Sequence, residues 1–487
     1  MQPRSAIYQV RKGLLTTYLT VKVIFGGILL KLSDLLTLFK SAAKWLVASA
    51  MGIQQTPNVV IWKGIPSVLT IPAWENLDFD FWRKPTYVVP TLASIVRHKT
   101  RMLLDDQRVE VIPDARMAEW SLRGPLSRLV EDGGDVWTLN LNQVDSVHTD
   151  EQVFLRGPTL ALDKVTGSPL SLTFEDGRQY TPADGALWSM AKLHFQAAAT
   201  FLLPGRFHGN IHFGLPCVAA ASLHQLPKTS VLRQLLAPHF RFTLRINNEA
   251  LRVQRAQDRR KPYAPFPMDG EEFTRSIAED VQERLLQPGF QTPPWSLKNA
   301  DLPYNQFGRA YYDVIRDFVT DVFAYIDDAE LHQWRVWVAQ FIPGFDEPDA
   351  VDTLATLIWQ VSVLHSADHY TMEHLMEADR YIFAKPHLPE PAKSIVRADM
   401  TAAMVVNLMC DAEDRYRSNV FSRTFVAGHQ HWLWDNSMAN IRYRFSSPEL
   451  NSIAVEFQHA LLKTEQKLQA KSLNLTPLKN VFQSICW

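Results

Sequence analysis

Cysteine is scarce. Cys217, Cys410 and Cys486 are scattered through 487 residues with no CxxC spacing, which excludes a disulfide framework as the source of stability. An excess of charge of one sign is missing too. The 50 Lys and Arg stand against 51 Asp and Glu, for a net charge of −1, so nothing electrostatic points to a nucleic-acid partner. There is no Gly-rich phosphate loop, Walker pattern, dinucleotide fingerprint or GxSxG elbow. NTP, nicotinamide and serine-hydrolase chemistry therefore have no support. No internal repeat and no low-complexity run stands out. The apolar stretches near the start are interrupted by Lys22 and Lys31, which argues against a transmembrane span. They lead to no small-residue cleavage site, which argues against a signal peptide. These absences point to a cytoplasmic protein, at most peripheral to a membrane.

What is present is core material. The chain is 46% hydrophobic and has 14 Trp, ample for a large interior. Length alone allows about three domains, but the pattern reads as one large unit with an addition in front. Residues 1–52 carry Arg4, Arg11, Lys12, Lys22, Lys31, Lys40 and Lys44 against the single acid Asp34. They are expected to form basic amphipathic helices that pack on the core, cover a channel mouth or touch a membrane surface. Residues 53–187 read as loop and strand. TPNVVIWKGIPSVLTIPAW is rich in β-branched residues and punctuated by Pro, and SPLSLTFEDGRQYTP reads as strand, turn, strand. From 188 to 487 helical periodicity dominates, as in FGRAYYDVIRDFVTDVFAYI and LHQWRVWVAQFI. Pro-rich breaks at 260–270, 287–295 and 385–391 read as connections between helices. The acidic DDAE (327–330) and basic RAQDRRK (255–261) read as solvated faces. The expected class is mainly α with a small strand-rich portion.

The candidate chemistry lies in histidines. His208 and His212 sit in FHGNIHF, and His365 and His369 sit in VLHSADHYTM. Side chains four apart on a helix share a face, with Cβ atoms roughly 5–6 Å apart, so each pair can offer two imidazoles to one point. Two such helices side by side can hold a metal, with the α-carboxylate of Trp487 as a fifth donor. Nitrogen and oxygen ligands with one open position suit redox iron better than a closed structural zinc. Fifteen histidines in 487 residues also produce i,i+4 pairs by chance, so spacing alone leaves a structural role and a metal role both standing. His374 lies five beyond His369, off its face. His429 and His431 in AGHQHW alternate and suit at most a minor surface site.

The text around the histidines goes further. WSMAKLHF from Trp188 resembles the W-x-x-AK entry to the metal-binding helix of lipoxygenases. Ser222–Asn247, SLHQLPKTSVLRQLLAPHFRFTLRIN, is similar to that family's A-x-x-RQLP…LL-PH-x-R-Y-T-x-x-IN segment. FIPGF (Phe341–Phe345) and LATLIWQVSVLHSADHY resemble its F-x-GFP and I-W-x-x-S-A-x-H-A-A-V-N/H stretches. DLPYNQFG…DFVTDVFAYIDDAELHQW and LALDKVTGSPLSLTF…YTPADG match two further segments. The matches run in the family's order from Leu160 to Trp487.

The resemblance implies a large helical lipoxygenase-like catalytic domain over 53–487 of the shorter bacterial kind, without an N-terminal β-barrel lipid-binding domain. It implies His208, His212, His365, His369 and the Trp487 carboxylate as ligands of non-haem iron cycling between Fe2+ and Fe3+, with manganese as the alternative metal. It implies a polyunsaturated fatty acyl substrate and O2, with ferric hydroxide abstracting hydrogen and no separate catalytic side chain. His239 in LLAPHF matches a family position that is buried and hydrogen-bonded rather than ligating.

Four departures accompany it, one being Trp487 itself, where the family usually ends in Ile or Val. The family spaces its first two histidines five apart across a π bulge. The four-residue spacing here predicts a helix entering the site without one. Met372 stands where a Gln is usual, and Pro216 where a Glu is usual. Lost hydrogen bonds around ligands weaken metal affinity or activity by about 10–100-fold. This keeps two alternatives open: a lipoxygenase-fold oxidase with an altered substrate or reaction, and a non-catalytic lipid-binding homologue.

Overall fold

The computed structural model describes strands at 58–62 and 65–70 and then, with short interruptions, residues 109–244, 299–410 and 437–485. The expected basic helices of residues 1–52, the Pro-rich segments 260–270 and 287–295, the basic run 255–261, His429, His431, Cys486 and Trp487 lie outside the described residues. Residues 57–69 and 107–487 group as one compact unit, and residues 1–56 and 70–106 as another. The first of these holds all four candidate histidines.

Strands β1 (Asn58–Trp62) and β2 (Ile65–Thr70) pair with each other. From Val109, where description resumes, the segment read as loop and strand holds instead a helix, α1 (Asp114–Leu122), and a 3-10 turn, Pro125–Leu129. The signals for α1 are small. Pro113 stands at the cap, Asp114 lies in the first turn, and Met117 and Trp120, three apart, are the buried pair. Then comes an antiparallel meander of five strands in sequence order. These are β3 (Val130–Asp132), β4 (Val136–Asn140), β5 (Thr159–Asp163), β6 (Pro169–Thr173) and β7 (Gln179–Tyr180). Period-two alternation buries Leu139, Leu160, Leu162 and Leu172. The expected EDG turn joins β6 to β7, with Gly177 at φ 82° donating to the Phe174 carbonyl at 2.9 Å, a conformation that favours glycine.

The PAD stretch closes the sheet and launches the helical part. Asp184 accepts from the Thr181 backbone N–H at 2.7 Å in a capping box. Gly185, at φ 59°, then turns the chain into α2 (Ala186–Thr200). Trp188 and Lys192, one turn apart, both reach Asp114 at the start of α1, at 3.0 and 2.7 Å. Every residue from Met190 to Leu203 is buried. A helix apolar all round must run through the interior, and this one does, continuing into α3 (His208–Gly214).

The outer helices show one face each. α4 (Pro303–Phe323) buries Phe307, Tyr311, Ile315, Phe318 and Val322 at helical spacing. The acidic run at 327–330 proves to be solvated and also a cap: Asp327 accepts from the Glu330 N–H at 2.9 Å to start α5 (Asp328–Ala339). The second interior helix, α6 (Ala350–Trp359), leads to α7 (His365–His374), and residues Thr353–His369 are buried without a break. α8 (Pro448–Ala470) packs with α6 on α4. No helix among the described residues is long and apolar enough to cross a membrane.

Phe318 joins α4 to α8, its ring stacked on Phe457 with centroids 4.1 Å apart and set against Tyr443 at 4.9 Å. Phe318→Ala should therefore destabilise the chain by about 3–5 kcal/mol in a denaturant titration. A loss below about 1 kcal/mol would contradict this packing.

Candidate metal centre

The two interior helices carry the histidine pairs, and each is wound wide just before its pair begins. Phe201–Phe207 is π-helical and ends at His208, and Gln360–Leu364 is π-helical and ends at His365. The expectation of an unbulged approach to His208 is therefore corrected. Four-residue spacing constrains only the turn between the histidines, which is ordinary α-helix. The wide turn lies one step earlier and holds Pro204. Proline has no N–H to donate, and its ring crowds the carbonyl four residues back. An i→i+5 turn relieves both problems, so Pro204 followed by Gly205 was the available signal. His208, not Phe207, faces the cluster. π turns concentrate at functional sites because the extra residue re-aims the side chains after it.

The four imidazoles converge. His208, His212, His365 and His369 are 3%, 7%, 0% and 1% exposed. Ligand atoms of His208, His365 and His369 lie within 4.8 Å of one another. His212 joins through Nε2, which is 2.8 Å from His208 Nε2 and 3.2 Å from His365 Nε2. Two nitrogens bound at right angles to a cation at about 2.1 Å stand about 3.0 Å apart. These separations bracket that value, and a neutral imidazole is a borderline donor suited to iron, copper, nickel or zinc. The residues present fit a metal.

The chain's last described stretch is strapped along α7. The Phe482 N–H donates to Ser366 Oγ at 2.8 Å, and the Gln483 carbonyl accepts from Ser362 Oγ at 2.8 Å. Ser362 and Ser366 flank His365 on one face. Gln483 Nε2 donates to the Ser437 carbonyl at 2.9 Å, and Val481, Ser484 and Ile485 are buried. His239 completes the strap. Its Nδ1 is 2.8 Å from the Gln483 carbonyl and its Nε2 is 2.7 Å from Tyr443 OH. A carbonyl only accepts, so Nδ1 carries the proton and Nε2 accepts from the tyrosine. Burial pushes this ring down to about 4, against a smaller opposing effect of the Gln483 carbonyl. The expectation that His239 is buried and hydrogen-bonded is met.

One group escaped the sequence reading. Arg128, at the 3-10 turn after α1, pairs with Asp368, and the Tyr304 hydroxyl donates to the same carboxylate oxygen. Burial works against the guanidinium charge, but Asp368 and Tyr304 outweigh it and raise its pKa. The partners are 240 residues apart, so no local pattern announces them.

The remaining residues fall where expected or show what the departures do. Pro216 cannot donate to the His212 carbonyl, and the helix breaks at Leu215 and restarts. Met372 is buried. His374 points away from the cluster and lies against Tyr370, ring centroids 4.1 Å apart. Cys217 is buried with its thiol pushed up to about 12, so it is no ready thiolate.

No family model matches the sequence. A chloroplastic lipoxygenase 2.2 of Hordeum vulgare is 28% identical over 222 residues, covering 38% of this chain and 23% of that protein. The match thus spans under a quarter of the relative's own length. Among solved structures, a lipoxygenase in complex with arachidonate superposes with a TM-score of 0.64 at 12% identity, covering 88% of this chain and 79% of that one. A manganese lipoxygenase of Gaeumannomyces graminis gives 0.61 at 11%, covering 89% and 92%. The chain has the lipoxygenase fold. With the sequence matches, this supports its assignment to the lipoxygenase family.

The His239 ring gives a pH signature. Its folded pKa, about 4, lies below the unfolded value near 6.5. Between these the unfolded chain binds more protons, so stability is full above pH 6.5 and falls as pH drops toward 4. The loss should reach about 3 kcal/mol. In apo protein, His239→Gln should flatten the slope of unfolding free energy across that window. An unchanged slope would contradict the assignment.

Proposed function

We propose that this chain is a metal-dependent oxidoreductase of lipoxygenase type that oxygenates a polyunsaturated fatty acyl chain, with iron or manganese as its metal. The observation that carries it is the meeting of four buried imidazoles from two π-interrupted helices. His208, His212, His365 and His369 would hold the metal, with the α-carboxylate of Trp487 as an anionic fifth ligand. When bound, the metal supplies the one-electron chemistry by which a doubly allylic carbon loses a hydrogen and takes up O2 as a hydroperoxide.

The chain's own residues bind, aim and exclude water. The neutral imidazoles leave the cation most of its charge, and the two helices fix their directions. The buried Leu364 and Phe213 stand directly beside His365 and His212 in sequence and keep the surroundings apolar, as an acyl chain requires. Ser362, Ser366 and His239 hold residues 481–485 against α7, so that a carboxylate two residues on has a fixed starting point. Arachidonate in one structural neighbour supports the substrate class, and the manganese neighbour supports the second metal.

Protein loaded with Fe(II) or Mn(II) should hold a single metal ion per chain. It should consume O2 with linoleate or arachidonate while conjugated-diene absorbance rises. His365→Ala should lose most of the metal and slow uptake at least about tenfold. A wild type that binds neither metal would refute the reading. Full metal with no uptake on either acid would favour a second reading, an oxidase of the same fold with another substrate or reaction. Pro216 and Met372, apolar at positions beside the ligands, favour that alternative.

The carboxylate has its own test. A C-terminal extension turns it into an amide, and should lower metal content relative to an N-terminally tagged control, whereas Trp487→Ile should not. Equal metal in both tagged proteins would remove Trp487 from the ligand set.

A further inference from the structure

Asp368 stands directly before His369, where the lipoxygenase-like motif H-A-A-V-N/H has Val. Its side chain is 2% exposed, and that of its partner Arg128 is 5% exposed. Arg128 Nε donates to the Pro125 carbonyl at 3.1 Å, and one Asp368 oxygen accepts from both Arg128 and Tyr304. The guanidinium carbon also lies 5.1 Å from the centroid of the Phe207 ring and 5.5 Å from that of Tyr304. Phe207 stands directly before His208. One planar cation thus touches the residue preceding a cluster histidine on each interior helix. The two histidines concerned, His208 and His369, have ring centroids 4.3 Å apart.

Stability does not explain such a pair. The cost of removing two charges from water about cancels their attraction, and apolar residues of similar volume often serve equally well. Geometry does explain it. A guanidinium offers a rigid fork to one partner and a flat face to another, so it can fix the separation and rotation of the two helices where they meet.

We propose that Arg128 is a positioning residue of the metal centre. It holds Asp368 by its fork and Phe207 by its face, and so sets how His208 and His369 are presented to the metal. This rests on reading the cluster as a metal site. The Asp368 substitution within the motif is then matched by an arginine brought from a distant turn.

The test replaces the pair by apolar residues, Arg128→Met with Asp368→Val, and compares it with Phe207→Leu, which leaves the ion pair intact. Apo melting temperature, Mn(II) affinity by competition titration and the Mn(II) EPR spectrum are measured on full-length protein. The double variant should melt as apo protein a few degrees below the wild type, because the buried Tyr304 hydroxyl loses its acceptor, yet bind Mn(II) about 10–100-fold more weakly with an altered spectrum. Phe207→Leu should bind about two- to tenfold more weakly at unchanged apo melting. Wild-type affinity and spectrum in the double variant would overturn the proposal. If the double variant does not fold, Phe207→Leu decides: unchanged affinity and spectrum overturn it, and weakened binding supports it. Wild-type protein that binds no Mn(II) or Fe(II) would instead remove the metal reading on which the proposal stands.

Discussion

Two helices that are apolar all round must lie side by side in the interior, and they must do so in one register. Everything else in the structure depends on that constraint. Runs such as Met190–Leu203 and Thr353–His369 have no face to show to water, so the outer helices, the sheet and the C-terminal strap are arranged to cover them. Within this apolar pair sit four imidazoles. Their ring nitrogens, 2.8 and 3.2 Å apart, are spaced as ligands of one cation are. The π turns that precede both pairs are the local distortion that lets two straight rods point their histidines at one spot.

Much of this was legible in the residues. The i,i+4 spacing of His208 with His212 and of His365 with His369 is a local signal, and the α-helix between the members of each pair is what it implies. The strand–turn–strand of SPLSLTFEDGRQYTP and the amphipathic face of Pro303–Phe323 are periodic, and periodicity survives folding. The burial of His239 followed from the family text. What was not legible was either irregular or non-local. The π turn at Phe201–Phe207 lies before the His208–His212 spacing, and only Pro204 hints at it. α1 is nine residues long, with too few buried positions to show a period. Arg128 is an ordinary arginine in sequence, and its significance comes from a partner in another helix, Asp368, and from a ring beside His208.

Asp368 also shows how a departure from a motif becomes interpretable. Alone, an acid in place of Val beside a histidine suggests damage. With Arg128 and Tyr304 in place it is a satisfied group that links the sheet-side turn to the site. Pro216 and Met372 have no such compensation among the described residues, since one breaks a helix and the other fills space. The four imidazoles thus converge while the polar groups around them differ from those the resemblance implies.

Four converging histidines should hold one cation. Anomalous diffraction from crystals of protein soaked in or purified with Fe(II) or Mn(II), recorded on both sides of the metal's absorption edge, tests it most directly. The account predicts one strong peak, about 2.1 Å from a ring nitrogen of each of His208, His212, His365 and His369. A peak bound elsewhere, or metal-free imidazoles hydrogen-bonded to one another at full metal concentration, would contradict it.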